Sequence, residues 1–275
     1  MNRNRNNEPL SNDQIQRYAP SVFAGQAHDS RSQRYAFIPT VEVIDGLRQA
    51  GLVPVAATQS RSRIAGKEYF TKHMIRFRST NEALTQVGDT AVEVVLVNSH
   101  DGTSQYELSL GAFRLACLNG MMVSEGLVQS VKVRHTGNII ERVVELTHSL
   151  VQQAPLVTDA IKTWKQIEMD QNEQQILAES ALALRFDGTA PITADKLLMV
   201  NRNADAHNDL WTVFNRIQEN AVRGGIRYYS ESTPGDASTM RRNRTREVAG
   251  IDNNSKLNRE LFALAAKFAA LKSAK

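Results

Sequence analysis

One cysteine, Cys117, occurs in 275 residues. A lone thiol excludes an intrachain disulfide and fits a reducing, cytoplasmic setting. No apolar run approaches the ~18–20 residues that span a bilayer, so no membrane contact is expected. The opening Met-Asn-Arg-Asn-Arg-Asn-Asn lacks the apolar core of a secretory signal. There is no internal repeat, P-loop, dinucleotide-binding fingerprint, zinc-ligand spacing or nucleophile elbow. Gly102, Gly111 and Gly120 stand too far apart to cradle a phosphate as one loop. These absences leave no cofactor implied, no metal site specified and no catalytic residue singled out. They favour a binding protein over an enzyme.

What is present is an ordinary globular composition, 41% hydrophobic and 23% charged, in a chain long enough for one or two domains. The net charge of +4 is unevenly spread. Lys and Arg against Asp and Glu number 12 to 6 over residues 1–80, 10 to 18 over 81–222, and 11 to 5 over 223–275. Basic ends around an acidic middle point to an anionic partner, with nucleic acid the commonest, or to solvated surface alone.

The most distinctive stretch is 92–120. An apolar, β-branched run reads as a buried strand and breaks at Asn98-Ser-His-Asp-Gly102, a tight turn. A strand at 104–110 follows, then a helix over 112–118 closed by Asn119-Gly120. Asp101 is read as bonding the amide two residues on, with a metal or general-base role for His100 and Asp101 as the minor alternative. Arg114 is an anion contact, because a guanidinium grips phosphate with two donors.

Elsewhere, Ser11 resembles a helix cap and 41–50 reads as an amphipathic helix. Strands are expected over 52–61 and 69–79. In the second of these, Lys72, Arg76 and Arg78 alternate with His73, Ile75 and Phe77, a basic stripe on one face. From 138 a long helical region runs to 186 with a kink at Pro155. Shorter helices are expected at 194–199 and 210–222, and a last amphipathic one at 256–272. Residues 226–250 carry Arg241, Arg242, Arg244 and Arg246 among Ser, Thr, Gly and Pro, which reads as a basic flexible loop. The expected fold is α+β: residues 1–137 an antiparallel sheet with flanking helices, residues 138–275 mainly helical with the basic loop near 227–250.

Several motifs are specific as a set. They include His28-Asp-Ser-Arg-Ser-Gln-Arg-Tyr35, Ile38-Pro-Thr40, Thr71-Lys-His-Met-Ile-Arg76, Asn98-Ser-His-Asp-Gly102, Phe113-Arg-Leu-Ala-Cys-Leu-Asn-Gly120, Asn215-Arg-Ile-Gln-Glu-Asn220 and Lys256-Leu-Asn-Arg259. Over nearly its whole length the chain resembles the phage/plasmid-like family of uncharacterised proteins found on conjugative plasmids, integrative elements and prophages. The resemblance implies a mobile-element origin and no established activity. The order of helix, antiparallel strands and helix is also similar to that of phage single-strand annealing proteins, whose core holds a basic groove for single-stranded DNA.

The expected function is therefore nucleic-acid binding, with single-stranded DNA preferred, for DNA maintenance of a mobile element. Arg31, Arg34, Arg61, Arg63, Lys72, Arg76, Arg78, Arg114, Arg241, Arg242, Arg244 and Arg246 are the phosphate contacts, and Tyr35, Phe70 and Phe77 the stacking surfaces. A protein-interaction factor that blocks a host restriction or defence complex through Asp187, Asp195, Asp205 and Asp209 is the alternative. A metal-dependent nuclease comes third. The last helix also suits a homo-oligomer, or packing within its own core.

Overall fold

Ser11 opens the first helix, α1 (Asn12–Tyr18), with a capping box: its side chain accepts from the Gln14 amide, and the Gln14 side chain accepts from the Ser11 amide. The computed structural model describes residues 8–31, 37–81, 85–114, 120–122 (backbone only), 127–133, 138–231 and 240–273. The chain divides into two compact units, residues 1–159 and 160–275.

In the first unit α2 (Thr40–Gln49) buries Val43, Ile44 and Leu47, the face its periodicity sets. The strands are β1 (Leu52–Gln59), β2 (His73–Ser79), β3 (Gln86–Val87), β4 (Thr90–Asn98), β5 (Tyr106–Arg114), β6 (Gly120–Met122) and β7 (Val131–Val133). They form one sheet in the order β1-β2-β4-β5-β6, with β3 paired to β4 and β7 to β5. Every pairing is antiparallel, as connections too short for crossovers require. Register places Phe77 opposite Val94, Ile75 opposite Leu96 and Leu96 opposite Leu108 on one face. All nine residues of β4 are buried. Next comes the long helix α3 (Ile139–Trp164), of which residues 139–159 belong to this unit. Gly46 lets α2 approach it, since a Cβ there would lie 2.8 Å from Ile140 Cγ2.

Two expectations change. The helix over 112–118 does not form where it is described: Ala112, Phe113 and Arg114 continue β5 and pair with Val92, Ala91 and Thr90. A strand hydrogen-bonded to neighbours on both sides overrides the local helix preference of Leu and Ala. Cys117 and Asn119 lie outside the described residues. In the likeness to the helix–sheet–helix order of annealing proteins, residues 112–114 of the third element are strand, and residues 115–118 lie outside the described residues. The single helical region of 138–186 is two helices, α3 and α4 (Gln171–Arg185), because Asp170 and Glu173 form a fresh capping box between them.

The second unit is organised by α5 (Leu210–Arg223). Asp209 caps it by accepting from the Thr212 amide at 2.9 Å, and its residues from Leu210 to Ala221 are buried apart from Thr212. Trp211 and Phe214 of this helix pack with Trp164, and Phe214 and Trp164 pack with Phe262 of α6 (Ile251–Ser273). The amphipathic face of α6 is thus used within its own unit. Its polar positions fit the same interior: the Gln218 amide donates to Asn258 at 2.8 Å.

The basic segment after α5 is a hairpin where it is described, not a loop. Strands β8 (Arg227–Glu231) and β9 (Met240–Arg244) pair antiparallel through five residue pairs. The ladder satisfies the backbone amides, which offsets the ordering entropy that a loop of this composition would not recover. Residues 232–239 lie outside the described residues. The chain is therefore α+β, with a sheet-rich first half and a helical second half. Among the described residues no helix is long and apolar enough to cross a membrane.

Candidate nucleic-acid interface

Three of the distinctive motifs converge on one buried hydroxyl, that of Thr40. Thr40 Oγ1 lies 2.9 Å from His73 Nε2, 3.1 Å from His100 Nε2 and 3.0 Å from Asn98 Nδ2, which donates to it. Tyr106 donates its hydroxyl to the Ile38 carbonyl beside them. The Ser21 hydroxyl sits 2.9 Å from His73 Nδ1. These side chains are fully buried. Burial, and then the neighbouring His100, push the His73 imidazole down to about 3. A neutral, fully bonded histidine of this kind ties α2 to the sheet.

The turn after β4 is the Asx turn its sequence spells. Asp101 accepts from the Thr103 amide at 3.0 Å and the Thr103 hydroxyl at 2.6 Å. Although burial alone would raise it, hydrogen bonds from Thr103, Ser99 and Lys67 hold the Asp101 carboxyl below the usual carboxylate range. Among the described residues no three His, Cys, Asp or Glu side chains group to hold a metal ion.

The cations of the first unit fall into three settings. Arg76 and Arg78 lie on one face, as their alternation requires, but that face is interior. Both guanidiniums pair with the buried carboxylate of Glu93 at 2.7 Å, and Arg76 stacks over the Phe113 ring. A buried carboxylate on the adjacent strand draws cations inward, which strand periodicity cannot reveal. Arg114 is buried and pairs with Asp89 at 2.9 Å. Lys72 is half-buried. Arg61, Arg63 and Arg31 are exposed, and Arg31 lies over Gly102. Arg34 and Tyr35 lie outside the described residues. Phe77 is fully buried and Phe70 packs edge-on to His28, so Phe77 offers no stacking face.

The second unit presents the concentrated basic surface. Arg227 stands opposite Arg244, Tyr229 opposite Arg242, and Ser230 opposite Arg241. Directly opposed residues share a face. Arg227, Tyr229, Arg242 and Arg244 thus line one face of the ribbon, and all four are exposed, Tyr229 at 66%. Arg241, on the other face, and Arg246, beyond β9, are exposed as well. None of these five arginine side chains makes an ion pair among the described residues.

The root of the ribbon is fixed. Thr245, buried, accepts from the Ile226 amide through its hydroxyl and from the Gly225 amide through its carbonyl. Arg185 of α4 donates to the carbonyls of Ala221 and Arg246 at 2.8 and 2.7 Å. Gly224 makes the turn out of α5 with φ 63° and ψ −144°, a region that only glycine adopts freely, and a Cβ there would sit 2.7 Å from the Arg246 backbone. The arginines of β9 stand out in the sequence as a basic run, whereas Arg227 does not. The five-residue alternation after Gly224-Gly225 was the available signal. Of the four aspartates of the acidic middle, Asp205 is buried and pairs with Arg202, Asp209 is buried and caps α5, and Asp187 and Asp195 are exposed.

Fold and surface together define an α+β protein with an exposed, basic, two-stranded ribbon anchored to a helical unit. The model of a domain of unknown function, DUF932, matches residues 27–262, and the chain belongs to that family. It is 37% identical to the UPF0380 protein YafZ of Escherichia coli (strain K12) over 262 residues, covering 95% of this chain and 92% of the relative. It is 36% identical to the UPF0380 protein YfjQ of the same organism, over the same shares. No solved structure matches the chain.

Proposed function

We propose that the protein binds nucleic acid through the β8–β9 ribbon, with single-stranded DNA preferred, in the DNA maintenance of a mobile genetic element. The observation that carries the reading is the exposed ribbon face, where Arg227 and Arg244 stand directly opposite each other beside Tyr229 and Arg242. Like charges opposed across a ladder destabilise it. Folding gains nothing from that arrangement, whereas a phosphate backbone would neutralise it. An exposed tyrosine between arginines is the platform on which unpaired bases stack irrespective of sequence. That feature supports a single strand over a duplex, whose bases are already stacked. Arg31, Arg61 and Arg63 are further exposed cations in the first unit. The mobile-element setting rests on the motif resemblance, and binding within a cytoplasm follows from it.

The protein-interaction alternative has less support, because of its four aspartates Asp205 and Asp209 are engaged internally and only Asp187 and Asp195 are exposed. The deciding experiment is fluorescence anisotropy with labelled single-stranded and duplex 20-mers at 50 and 200 mM salt. Four ribbon contacts to a single strand give a loss of about 50-fold between those salts. Equal, salt-insensitive signals or no binding at 50 mM would refute the reading.

A further inference from the structure

An open cleft of about 680 Å³ lies at the root of the ribbon, within the second unit. Lys196, Met199, Asn201, Arg223, Ile226 and Arg227 line it. Its size falls in the range of small-ligand pockets, and its lining combines an apolar part with a few convergent polar groups. Met199 is 49% exposed although it is a large apolar side chain. Glu219, also on the wall, is buried and held by Arg202 and Arg223, so its charge is balanced before any ligand arrives. Asn220 is fixed by donating to the carbonyls of Leu197 and Met199, and it accepts from Asn201 at 2.9 Å. At Gly225 a Cβ would meet nothing within 4 Å, so backbone and solvent alone form that edge.

We infer that this cleft is a nucleotide subsite that takes one unit of the strand bound by the ribbon. The base lies against Met199 and Ile226. The phosphate meets Lys196 and Arg227, and the Asn201 amide offers a donor and an acceptor to the base edge. Arg227 belongs both to the cleft and to the exposed ribbon face. A strand following the arginines of the ribbon is thereby led to the cleft. Apolar lining beside cations suits a nucleotide better than an acidic peptide, because a peptide carboxylate has no flat apolar face to place on Met199 and Ile226. The inference rests on the proposed nucleic-acid binding and adds a specific base contact to it.

The test uses the full chain, a labelled dT 20-mer and an abasic 20-mer with the same number of phosphates. Met199→Ala removes only the base contact. It is expected to weaken the dT 20-mer about fivefold, a loss of roughly 1 kcal/mol, and to leave the abasic strand unchanged. Lys196→Ala should weaken both strands alike. Both side chains are exposed, so circular dichroism is expected to match the parent. If the parent binds the dT 20-mer and Met199→Ala binds it equally well, the subsite is overturned while ribbon binding stands. If the parent binds neither strand at 50 mM salt, the nucleic-acid reading itself falls, and the subsite with it.

Discussion

Arg76 donates to Glu93 at 2.7 Å with both side chains almost completely removed from solvent. Arg78 reaches the other carboxylate oxygen of Glu93 at the same distance. Removing the anion strands a buried guanidinium. Glu93→Ala is expected to cost about 3–5 kcal/mol, read as a lower urea midpoint. Glu93→Ala combined with Arg76→Met should recover part of that loss. A single-variant cost under about 1 kcal/mol would mean that water reaches the pair.

The α5 cap gives a smaller and cleaner effect. Asp209 accepts from the Thr212 amide and hydroxyl at 2.9 and 2.7 Å. Asp209→Ala should lower stability by about 1–2 kcal/mol, and Asp209→Asn by less. Equal stability of all three proteins in urea would show that the helix start is held by packing alone.

His73 makes stability depend on pH in a definite direction. Its folded value, pushed down to about 3, lies below the ordinary 6.5. Between those values the unfolded chain binds the proton and the folded one does not. Stability is therefore complete above about 6.5 and falls as pH drops towards 3, by up to about 1.4 kcal/mol per pH unit. Asp101, held low, contributes stability that is lost only below the ordinary carboxylate range. Denaturation midpoints between pH 4.5 and 6.5 isolate the histidine, and His73→Gln should flatten that slope. An unchanged slope would assign it to other groups.

Replacing Arg242 and Arg244 together with alanine should leave the melting temperature within about 2 °C, because exposed charges contribute little to folding. Relief of the Arg227–Arg244 opposition can raise it slightly. Affinity for a single-stranded 20-mer should fall, and the log–log salt slope should shrink by about 1.4 for two lost contacts. A double variant that binds with the parent's slope removes the ribbon from the interface.

At the ribbon root, Gly224→Ala combines an unfavourable φ with a collision against the Arg246 backbone. A loss of about 3 kcal/mol or more is expected. Gly225→Ala, also at positive φ but with open space around it, should cost about 1 kcal/mol. Thermal unfolding of the pair checks the ranking, and equal losses would contradict it.

Much of the fold was legible because it rests on local periodicity. The alternation of 69–79 named β2, although the strand begins only at His73, the largely apolar run of 92–97 named the buried β4, and Ser11 and Gly51 marked helix ends correctly. What stayed hidden depends on partners distant in sequence. Phe113 and Arg114 look helical until β4 and β6 are placed beside them. Arg76 looks solvated until Glu93, seventeen residues on, is placed on the same face. The ribbon arginines stand out as a basic run but not as paired strands, since the bonds that fix them come from Thr245 and Arg185. Of the cleft, Lys196 and Met199 gave no signal, as neither stands in a motif.

The full burial of β4 has a consequence during synthesis. Ala91 to Val97 reads Ala-Val-Glu-Val-Val-Leu-Val, a short segment of high β-propensity with no proline. Until β5 has followed it out of the ribosome, this stretch is a template on which another nascent chain can pair. Glu93 is its only charge. In two unfinished copies aligned in register, that carboxylate meets its own like and repels it, as a gatekeeper does. The same side chain that two arginines neutralise in the finished sheet thus keeps unfinished sheets apart, and Glu93→Gln would raise the aggregated fraction on expression beyond what its lost stability explains.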